Sequence, residues 1–224
     1  MVEIKLPLIL INFKCYIEST GKKAVKLAKI CEKISQEKEI SIIVSPQHAD
    51  IFRISQSVDI PIFAQAIDPI TPGKYTGHIL PEDVKEAGAS GSLINHSEHP
   101  VSLEEIEACI KRLRELELKS CVCVPDLNMT EKVVEMKPDF IAFEVPELVG
   151  TGKAISKFQP DSVKKFVEIV SKVEGTIPLC GAGISTGEDV KAALDLGTKG
   201  VLIASAFVKS EDPEKKLREL VGLI

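Results

Sequence analysis

The chain has 224 residues, which is enough for one large α/β domain or two small ones. Its net charge is −5 with acidic and basic residues interspersed, so we expect no nucleic-acid partner. No apolar run approaches the roughly 18 residues of a membrane span, and the N-terminal stretch lacks the features of a secretory signal. These observations predict a cytoplasmic protein with no membrane partner.

Six cysteines are spread along the chain, several of them inside apolar segments, and none forms a CxxC pair. Free buried thiols are therefore favoured over disulfides or a metal centre. The cysteines and the four histidines show no ligand spacing for zinc, and neither a P-loop nor a GxGxxG fingerprint occurs. We expect no metal and no cofactor.

Short apolar runs recur along the chain and predict β-strands. The predicted strands comprise residues 8–13, 40–44, 60–64, 92–95, 120–124, 140–143, 177–180 and 200–204. These runs are continuous rather than alternating, as expected for strands that are buried on both faces.

Segments with apolar residues at helical spacing, or with helix-capping residues, follow the strands. The predicted helices comprise residues 19–38, 47–56, 81–87, 102–116, a short helix opened by Thr130, 161–173, 186–196 and 212–223. The clearest start is Ser102 with Glu105 three residues later, which is the pattern of a capping box. Residues 66–78 form a long irregular stretch that is rich in Pro, Gly and Thr.

Regular alternation of strand and helix predicts a parallel sheet with right-handed crossovers. Eight such units with no segment left over favour a closed (β/α)8 barrel, the TIM barrel fold, over a doubly wound sheet. We therefore predict that residues 1–224 form a single (β/α)8 barrel domain. A typical barrel of this kind has about 250 residues, so several helices must be shortened. The helices after strands two, three and five look short.

The functional site of such a barrel lies at the carboxyl ends of its strands. His96 follows strand four and Glu144 follows strand six, on opposite sides of the ring. An acid facing an imidazole is the minimum for abstracting a proton next to a carbonyl group. The alternatives are a solvated glutamate on an ordinary connection and a histidine with no catalytic role.

Lys14 follows strand one, two residues after Asn12. It is either a surface lysine at the start of a loop or a charge that holds an anion, and the sequence favours neither. Because strand six carries no lysine, a Schiff-base aldolase with its lysine on that strand is disfavoured.

The loop after Glu144 has Pro146 near its start and Gly150-Thr151-Gly152 at its end. A loop that is stiff at its start and glycine-hinged at its end is typical of a mobile lid above a catalytic base.

Small residues follow the last two strands, at Gly181-Ala182-Gly183 and at Ala204-Ser205. In this class of barrel these loops commonly bind phosphate through backbone N–H groups. The alternative is a tight turn that merely requires glycine, but two such loops at the expected strands favour phosphate. Together with the acid, the histidine and the lysine, they predict a small phosphorylated carbonyl substrate and cofactor-free proton transfer.

These motifs resemble those of the triosephosphate isomerase family in its shorter archaeal form, and they match in order along the whole chain. The matching residues are Asn12-Phe13-Lys14 of the N-x-K motif, Tyr75-Thr76-Gly77 of the subunit-contact loop, His96-Ser97-Glu98 of the HSE motif, Glu144 with Val149-Gly150-Thr151-Gly152 of the base and lid, and the two phosphate loops. In this family, a carboxylate base paired with a neutral histidine is an established case of pKa tuning. The loop of this family that closes over the substrate is an established case of a catalytic lid.

The resemblance implies interconversion of dihydroxyacetone phosphate and D-glyceraldehyde 3-phosphate through an enediol(ate), in glycolysis and gluconeogenesis. It implies that Glu144 is the base, that neutral His96 polarises the carbonyl oxygen, and that Lys14 adds positive charge near the substrate. The implied substrate-binding residues are Asn12, Phe13, Lys14, Val149, Gly150, Gly183, Ala204 and Ser205, with Glu98 and Ser97 in supporting positions.

Three positions depart from the family pattern. Val145 follows the base where the family usually has proline, Glu147-Leu148 stand where the common lid has tryptophan, and Ala204-Ser205 replace a Gly-Gly pair. The second and third departures fit the archaeal pattern, whereas Val145 bears on the rate of lid closure.

The stretch 66–78 has too little apolar content to pack alone, so we expect it to dock into a neighbouring subunit. This predicts a homo-oligomer, at least a dimer, and the archaeal resemblance implies a tetramer. Two other functions remain open at this stage. One is a different phosphate-binding barrel, such as an indole-glycerol-phosphate lyase or synthase, and the other is a barrel that only binds or scaffolds.

Overall fold

The computed structural model describes residues 4–148, 150–152 and 154–224. Its strands are β1 (Leu8–Asn12), β2 (Ser41–Ser45), β3 (Phe63–Ala64), β4 (Gly91–Ile94), β5 (Lys119–Val124), β6 (Phe140–Phe143), β7 (Ile177–Cys180) and β8 (Gly200–Ile203). They form one 8-stranded parallel sheet with the order β2-β1-β8-β7-β6-β5-β4-β3. A parallel bridge between Val44 and Ile62 joins the two ends of the sheet into a barrel. The predicted (β/α)8 barrel is confirmed.

The third strand is shorter than predicted because Pro61 interrupts it. Proline has no N–H to donate to a sheet ladder. The carbonyl oxygen of Pro61 still accepts a hydrogen bond of 3.1 Å from the N–H of Val44, which brings β2 beside β3. Regular pairing is thus restricted to Phe63–Ala64, which pairs with β4.

Helices alternate with the strands around the barrel. They are α1 (Lys22–Lys38), α2 (His48–Ser55), α3 (Pro81–Glu86), α4 (Leu103–Glu115), α5 (Leu127–Val134), α6 (Ile155–Phe158), α7 (Pro160–Val170), α8 (Gly187–Asp195), α9 (Ser205–Val208) and α10 (Pro213–Leu220). Helices α2, α3 and α5 have 8, 6 and 8 residues, so the predicted shortening after strands two, three and five is confirmed.

Helices α5, α6 and α9 differ from the prediction. Helix α5 begins before Thr130, because the side chain of Asp126 accepts the N–H of Met129 at 2.7 Å and caps an earlier first turn. Helices α6 and α9 were not predicted, because a helix of four residues is too short to show an apolar period. The predicted capping box at Ser102 and Glu105 is confirmed.

The two faces of the strands supply two separate apolar layers. On β1, Leu8 and Leu10 point into the barrel interior, which also holds Phe63 and Phe140. Ile9 and Ile11 alternate with them and belong to the larger layer between the strands and the surrounding helices. Because both faces are buried, each strand reads as a continuous apolar run.

All six cysteines are free; Cys15 is exposed and the others are buried. This agrees with the expected free thiols. Over the part of the chain that the structure describes, no helix has the length and apolar character needed to span a membrane.

Candidate active site

A cavity of about 310 Å³ opens at the carboxyl ends of the strands. It is lined by Lys14, Glu144, Gly150, Thr151, Gly152, Ala182, Gly183, Ile184, Ser185, Leu202, Ile203, Ala204, Ser205 and Ala206. These residues come from loops that follow β1, β6, β7 and β8, as well as from the end of β8. Residues that are distant in sequence therefore meet where the barrel rule predicts a site.

Glu144 and His96 face each other across this end of the barrel. Oε2 of Glu144 lies 3.6 Å from Nε2 of His96, and both side chains are almost fully buried. Neither atom has a hydrogen-bond partner among residues 4–148, 150–152 and 154–224. Buried polar atoms normally have hydrogen-bond partners. These two atoms without partners therefore mark the place where a polar ligand would be bound.

A hydrogen bond from Glu98 determines which nitrogen of the neutral His96 ring carries the proton. The backbone N–H of Glu98 donates a hydrogen bond of 3.1 Å to Nδ1 of His96. Because Nδ1 accepts this bond, the neutral ring carries its proton on Nε2, the atom that faces Glu144. A neutral imidazole held in this tautomer can donate a hydrogen bond to a substrate oxygen.

The side chain of Glu144 occupies space that only a glycine at position 181 leaves free. A Cβ on Gly181 would lie 2.3 Å from Cγ of Glu144 and 2.9 Å from its Cδ. The N–H of Gly181 donates to the carbonyl oxygen of Phe143 at 2.9 Å, which fixes the two strand ends side by side. The orientation of the carboxylate therefore depends on the neighbouring strand.

Cys123, at the carboxyl end of β5, belongs to the immediate surroundings of Glu144. Burial, and next the negative charge of Glu144, raise the pKa of the Cys123 thiol well above its ordinary value. The thiol therefore stays protonated and adds no second negative charge beside the carboxylate.

Lys14 brings positive charge to the same cavity. Its Nζ lies 2.7 Å from Oε1 of Glu98, and its side chain is only 8% exposed. The backbone of Lys14 is left-handed, with φ of 48°, and its N–H donates to Oδ1 of Asn12 at 2.9 Å. Asn12 thus holds the turn that directs the lysine toward the cavity, and Glu98 restrains its ammonium group.

Gln65 was missed by the sequence analysis. Its Nε2 donates to the carbonyl oxygens of Lys14 and Ser45, at 3.1 and 3.2 Å, and approaches Oδ1 of Asn12 at 3.4 Å. Gln65 directly follows β3, so the rule that sites lie at strand ends could have found it. Its role is to hold the first two strand ends and the Lys14 turn together.

The small-residue loops after β7 and β8 line one side of the cavity. Ala182 and Gly183 both have positive φ, 60° and 72°, so the backbone turns here, and backbone N–H groups in turns can form an anion-binding concavity. Ala204 and Ser205 stand at the start of α9, where the first N–H groups have no acceptor inside the helix. These loops and Lys14 line the same cavity, an arrangement that suits an anion.

The segment after Glu144 lies next to the cavity. A 3₁₀ turn spans Pro146–Leu148, and Gly150 and Gly152 adopt positive φ of 74° and 73°. Gly150 and Gly152 also line the cavity. Val149, a predicted substrate-binding residue, lies outside the described residues.

Two other predicted site residues take less direct positions. The ring of Phe13 is fully buried and packs against Phe207 with centroids 6.5 Å apart, so it belongs to the core and not to the lining of the cavity. Ser97 lies beside a second, smaller cavity that reaches Glu144 from the other side. No cluster of three or more His, Cys, Asp or Glu side chains suited to a metal occurs within the described ranges.

The fold and the site together define a class: a (β/α)8 barrel enzyme with an acid and an imidazole paired beside a cavity that is lined by a lysine and two loops of small residues. The family model described as triosephosphate isomerase matches residues 7–222. The chain therefore belongs to the triosephosphate isomerase family and is an isomerase.

Several curated relatives carry the same name and match over almost their whole length. The triosephosphate isomerase of Methanobacterium bryantii is 50% identical over 226 aligned positions, covering 100% of both chains. That of Methanothermus fervidus is 49% identical and covers 96% of this chain and 97% of its own. That of Methanocaldococcus jannaschii is 49% identical and covers 97% of this chain and 100% of its own. The resemblance to the archaeal form of the family is confirmed.

Proposed function

We propose that this chain interconverts dihydroxyacetone phosphate and D-glyceraldehyde 3-phosphate, a step of glycolysis and gluconeogenesis. One observation carries the proposal: Oε2 of Glu144 and Nε2 of His96 are buried 3.6 Å apart and have no hydrogen-bond partner in the described chain. Membership of the family and the names of its relatives support the choice of substrate.

Glu144 acts as the base. Its carboxylate removes a proton from the carbon next to the carbonyl group, and the electron pair of that C–H bond moves to form an enediol(ate). The proton then returns from Glu144 to the neighbouring carbon, which was the carbonyl carbon. One group positioned near both carbons can therefore serve both halves of the reaction.

His96 acts as the electrophile. Its Nε2–H donates a hydrogen bond to the carbonyl oxygen, where negative charge develops as the carbon loses its proton. The N–H of Glu98 on Nδ1 keeps the ring in the tautomer that this donation needs. His96 then transfers protons between the two oxygens of the enediol(ate).

Lys14 stabilises negative charge on the substrate. The ammonium group lies within the cavity, and its partner Glu98 is 58% exposed, so that ion pair is partly screened by solvent. Lys14 can therefore interact with the substrate oxygens and the phosphate while it keeps its contact with Glu98. Asn12 supports this lysine and helps to hold the carbonyl group.

The phosphate of the substrate binds at the end of the cavity formed after β7 and β8. Backbone N–H groups of Gly183, Ala204 and Ser205 contact its oxygens, with Gly150 contributing from the lid. Val149 belongs to the same proposal through its place in the lid motif. Backbone donors suit this task because small residues let the main chain approach the anion closely.

The lid, residues 145–152, closes over the bound substrate. An enediolate beside a phosphate group eliminates that phosphate if water and free rotation are allowed, so a closed cavity protects the intermediate. Gly150 and Gly152 adopt positive φ angles. Because glycine has no Cβ, the backbone of the trailing half of the lid can change conformation at these two residues.

A coupled assay tests the proposal directly. Purified protein is supplied with dihydroxyacetone phosphate, and the formation of D-glyceraldehyde 3-phosphate is followed with an excess of a dehydrogenase that consumes it. Running the reaction in D₂O adds a second readout, because a base that exchanges with solvent places deuterium on carbon 2 of the product. An inactive wild-type protein, or turnover without any deuterium incorporation into either triose, would contradict the proposal.

We also propose that the protein is a homo-oligomer, at least a dimer and by family likeness a tetramer. The stretch 66–78 supports this, since it is irregular and places Tyr75 on the surface with 46% of its area exposed. Arg112 anchors this stretch to the barrel by donating a hydrogen bond of 3.0 Å to the carbonyl oxygen of Ile70. A monomeric mass by light scattering at working concentration would refute the oligomer.

Residues 1–224 are proposed to form a single domain that acts in the cytoplasm. The inclusion of every strand in one sheet supports the single domain. A single cooperative unfolding transition, followed by two spectroscopic probes, is the expected result. Cell fractionation with an antibody tests the cytoplasmic location.

A further inference from the structure

The helix that follows the lid is tied to the loop after β7 by three consecutive residues. The N–H of Ile155 donates to the carbonyl oxygen of Ala182 at 3.3 Å. The hydroxyl of Ser156 donates to the carbonyl oxygen of Asp189 at 3.3 Å, and Nζ of Lys157 lies 2.7 Å from Oδ1 of the same aspartate. Helix α6 therefore has its polar anchors on the segment that forms the anion-binding end of the cavity.

Asp189 is the residue on which these contacts converge. Its Oδ2 accepts hydrogen bonds from the N–H groups of Ser185 and Thr186, at 3.0 and 2.9 Å, while Oδ1 faces Lys157. Its own N–H donates to the hydroxyl of Thr186 at 3.2 Å, which completes a capping box at the start of α8. One buried carboxylate thus holds the loop after β7 on one side and the helix after the lid on the other.

The carboxylate of Asp189 remains charged in this position. Burial acts to raise its pKa, but the hydrogen bonds from Lys157, Ser185 and Thr186 together outweigh burial and lower it. A capping box alone needs only the contacts within residues 185–189. The ion pair to Lys157 is the additional feature, because it joins the box to a different element that begins just after the lid.

We propose that Asp189 is a positioning residue that locks the anion-binding loop after β7 to the helix that follows the lid. It does not touch the substrate. It sets the geometry of residues 182–185, which line the cavity, and gives the lid a fixed point from which to close. The proposal rests on the proposed function, since it concerns how the phosphate of that substrate is held.

Substitution of Asp189 provides the main test, with inorganic phosphate as the binding probe. Asparagine offers one acceptor oxygen in place of two and carries no charge for Lys157. We expect Asp189→Asn to raise the inhibition constant of inorganic phosphate, and to lower kcat/KM for the phosphorylated triose, by about tenfold each. Asp189→Glu keeps the charge and the usual third residue of a capping box, so it should restore most of both losses.

Unphosphorylated D-glyceraldehyde distinguishes positioning from general damage. It reacts at Glu144 and His96 but presents no phosphate to the loop, so its slow isomerisation should fall by less than about twofold in Asp189→Asn. An equal loss for both substrates would mean that Asp189 only stabilises the fold, and would overturn the proposal. Unchanged phosphate inhibition would overturn it as well.

Lysine variants keep the test decisive if Asp189→Asn fails to fold. Lys157→Met leaves the capping box intact and should lower kcat/KM for the phosphorylated triose about threefold, since half of that lysine faces solvent. Lys191→Met is the matched control, because Lys191 pairs with Asp195 on the outer face of α8 and should change nothing. Equal behaviour of the two lysine variants would overturn the proposal.

A further measurement separates the proposed function from the proposed role of Asp189. Phosphate binding to the wild-type protein and to Asp189→Asn is also measured by calorimetry, which requires no turnover. An inactive wild-type protein that binds phosphate more tightly than its Asp189→Asn variant would reject the isomerase function and retain the role of Asp189. If the wild-type protein is active but binds phosphate with the same affinity as Asp189→Asn, the isomerase function is retained and the role of Asp189 is rejected.

Discussion

Gly181 and Glu144 are packed so closely that a Cβ on the glycine would lie 2.3 Å from Cγ of the glutamate. Gly181 has an ordinary φ, so its backbone conformation does not demand glycine. The requirement arises from space alone, because the side chain of Glu144, the proposed base, lies where a side chain at position 181 would otherwise stand. The absence of a side chain just after β7 therefore positions Glu144.

Replacing Gly181 by alanine should displace the base without unfolding the barrel. A methyl group there must displace the Glu144 side chain from its present position, and a misplacement of about 1 Å can reduce catalysis by about a hundredfold. We expect kcat to fall by ten- to about a hundredfold, with little change in KM, in steady-state assays of Gly181→Ala.

Gly73→Ala is the matched control for this substitution. Gly73 also has an ordinary φ, and a Cβ there would meet mainly the flexible end of the Tyr75 side chain, at 3.1 Å. The control should keep wild-type kcat. Wild-type kcat in Gly181→Ala as well would show that Glu144 reaches its working position without help from the glycine.

His96→Gln should lower kcat by about 10²- to 10⁴-fold, because it removes the imidazole that we propose polarises the carbonyl group and moves protons between the oxygens. Glutamine can still donate a hydrogen bond, so KM should change less than kcat. His99→Gln is the control, since His99 is exposed and lies in the same loop. Equal activity of the two variants would remove His96 from the mechanism.

Lys14→Met and Glu98→Gln should differ in severity. The first removes the positive charge from the cavity and should lower kcat/KM by about a hundredfold or more. The second leaves the ammonium group in place and only frees it from a partner at 2.7 Å, so its loss should be several times smaller. Steady-state kinetics with both substrates measure this order, and a milder effect in Lys14→Met would contradict it.

Alkaline pH should destabilise the fold through its buried thiols. Burial is the main cause that raises the pKa of Cys109 and Cys180 to about 12. Burial likewise raises the pKa of Cys31, Cys121 and Cys123. The thiols ionise in the unfolded chain near their ordinary pKa but stay protonated in the folded one. Their contribution is therefore complete below that ordinary pKa and is lost as pH rises toward the folded value.

The free energy of unfolding measured by denaturant titration should accordingly fall between about pH 9 and 11, by about 1.4 kcal/mol per pH unit for each such thiol. Cys31→Ala isolates one group, because Cys31 is fully buried in α1. The slope of stability against pH in this variant should be smaller by about 1.4 kcal/mol per unit. An unchanged slope would mean that the Cys31 thiol ionises equally in both states.

The strands of this barrel were readily predicted, because burial on both faces leaves a plain apolar signal. Strands β6 and β7 have the predicted bounds, Phe140–Phe143 and Ile177–Cys180. Helix ends that depend on a single capping hydrogen bond were harder to predict. The sequence pattern predicts that α5 begins at Thr130, but the capping side chain is Asp126, and the choice between them depends on the geometry of the preceding turn.

The candidate site was predicted where charged residues follow strands, at Lys14, His96 and Glu144. The residues that position them were less visible. Gln65 acts through a side-chain amide that contacts the ends of β1 and β2, and sequence order does not reveal which ends are adjacent. Gly181 was interpreted only as part of a phosphate loop, because a requirement for empty space beside another residue leaves no pattern in the sequence.

Turnover by Glu144→Gln tests the central claim most directly. Glu147→Gln is its matched control, since Glu147 is an exposed acid three residues later in the same loop. We predict that Glu144→Gln lowers kcat by about 10²- to 10⁴-fold, with a far smaller effect on KM, while Glu147→Gln retains wild-type values. Near-normal kcat in Glu144→Gln would contradict the assignment of Glu144 as the base.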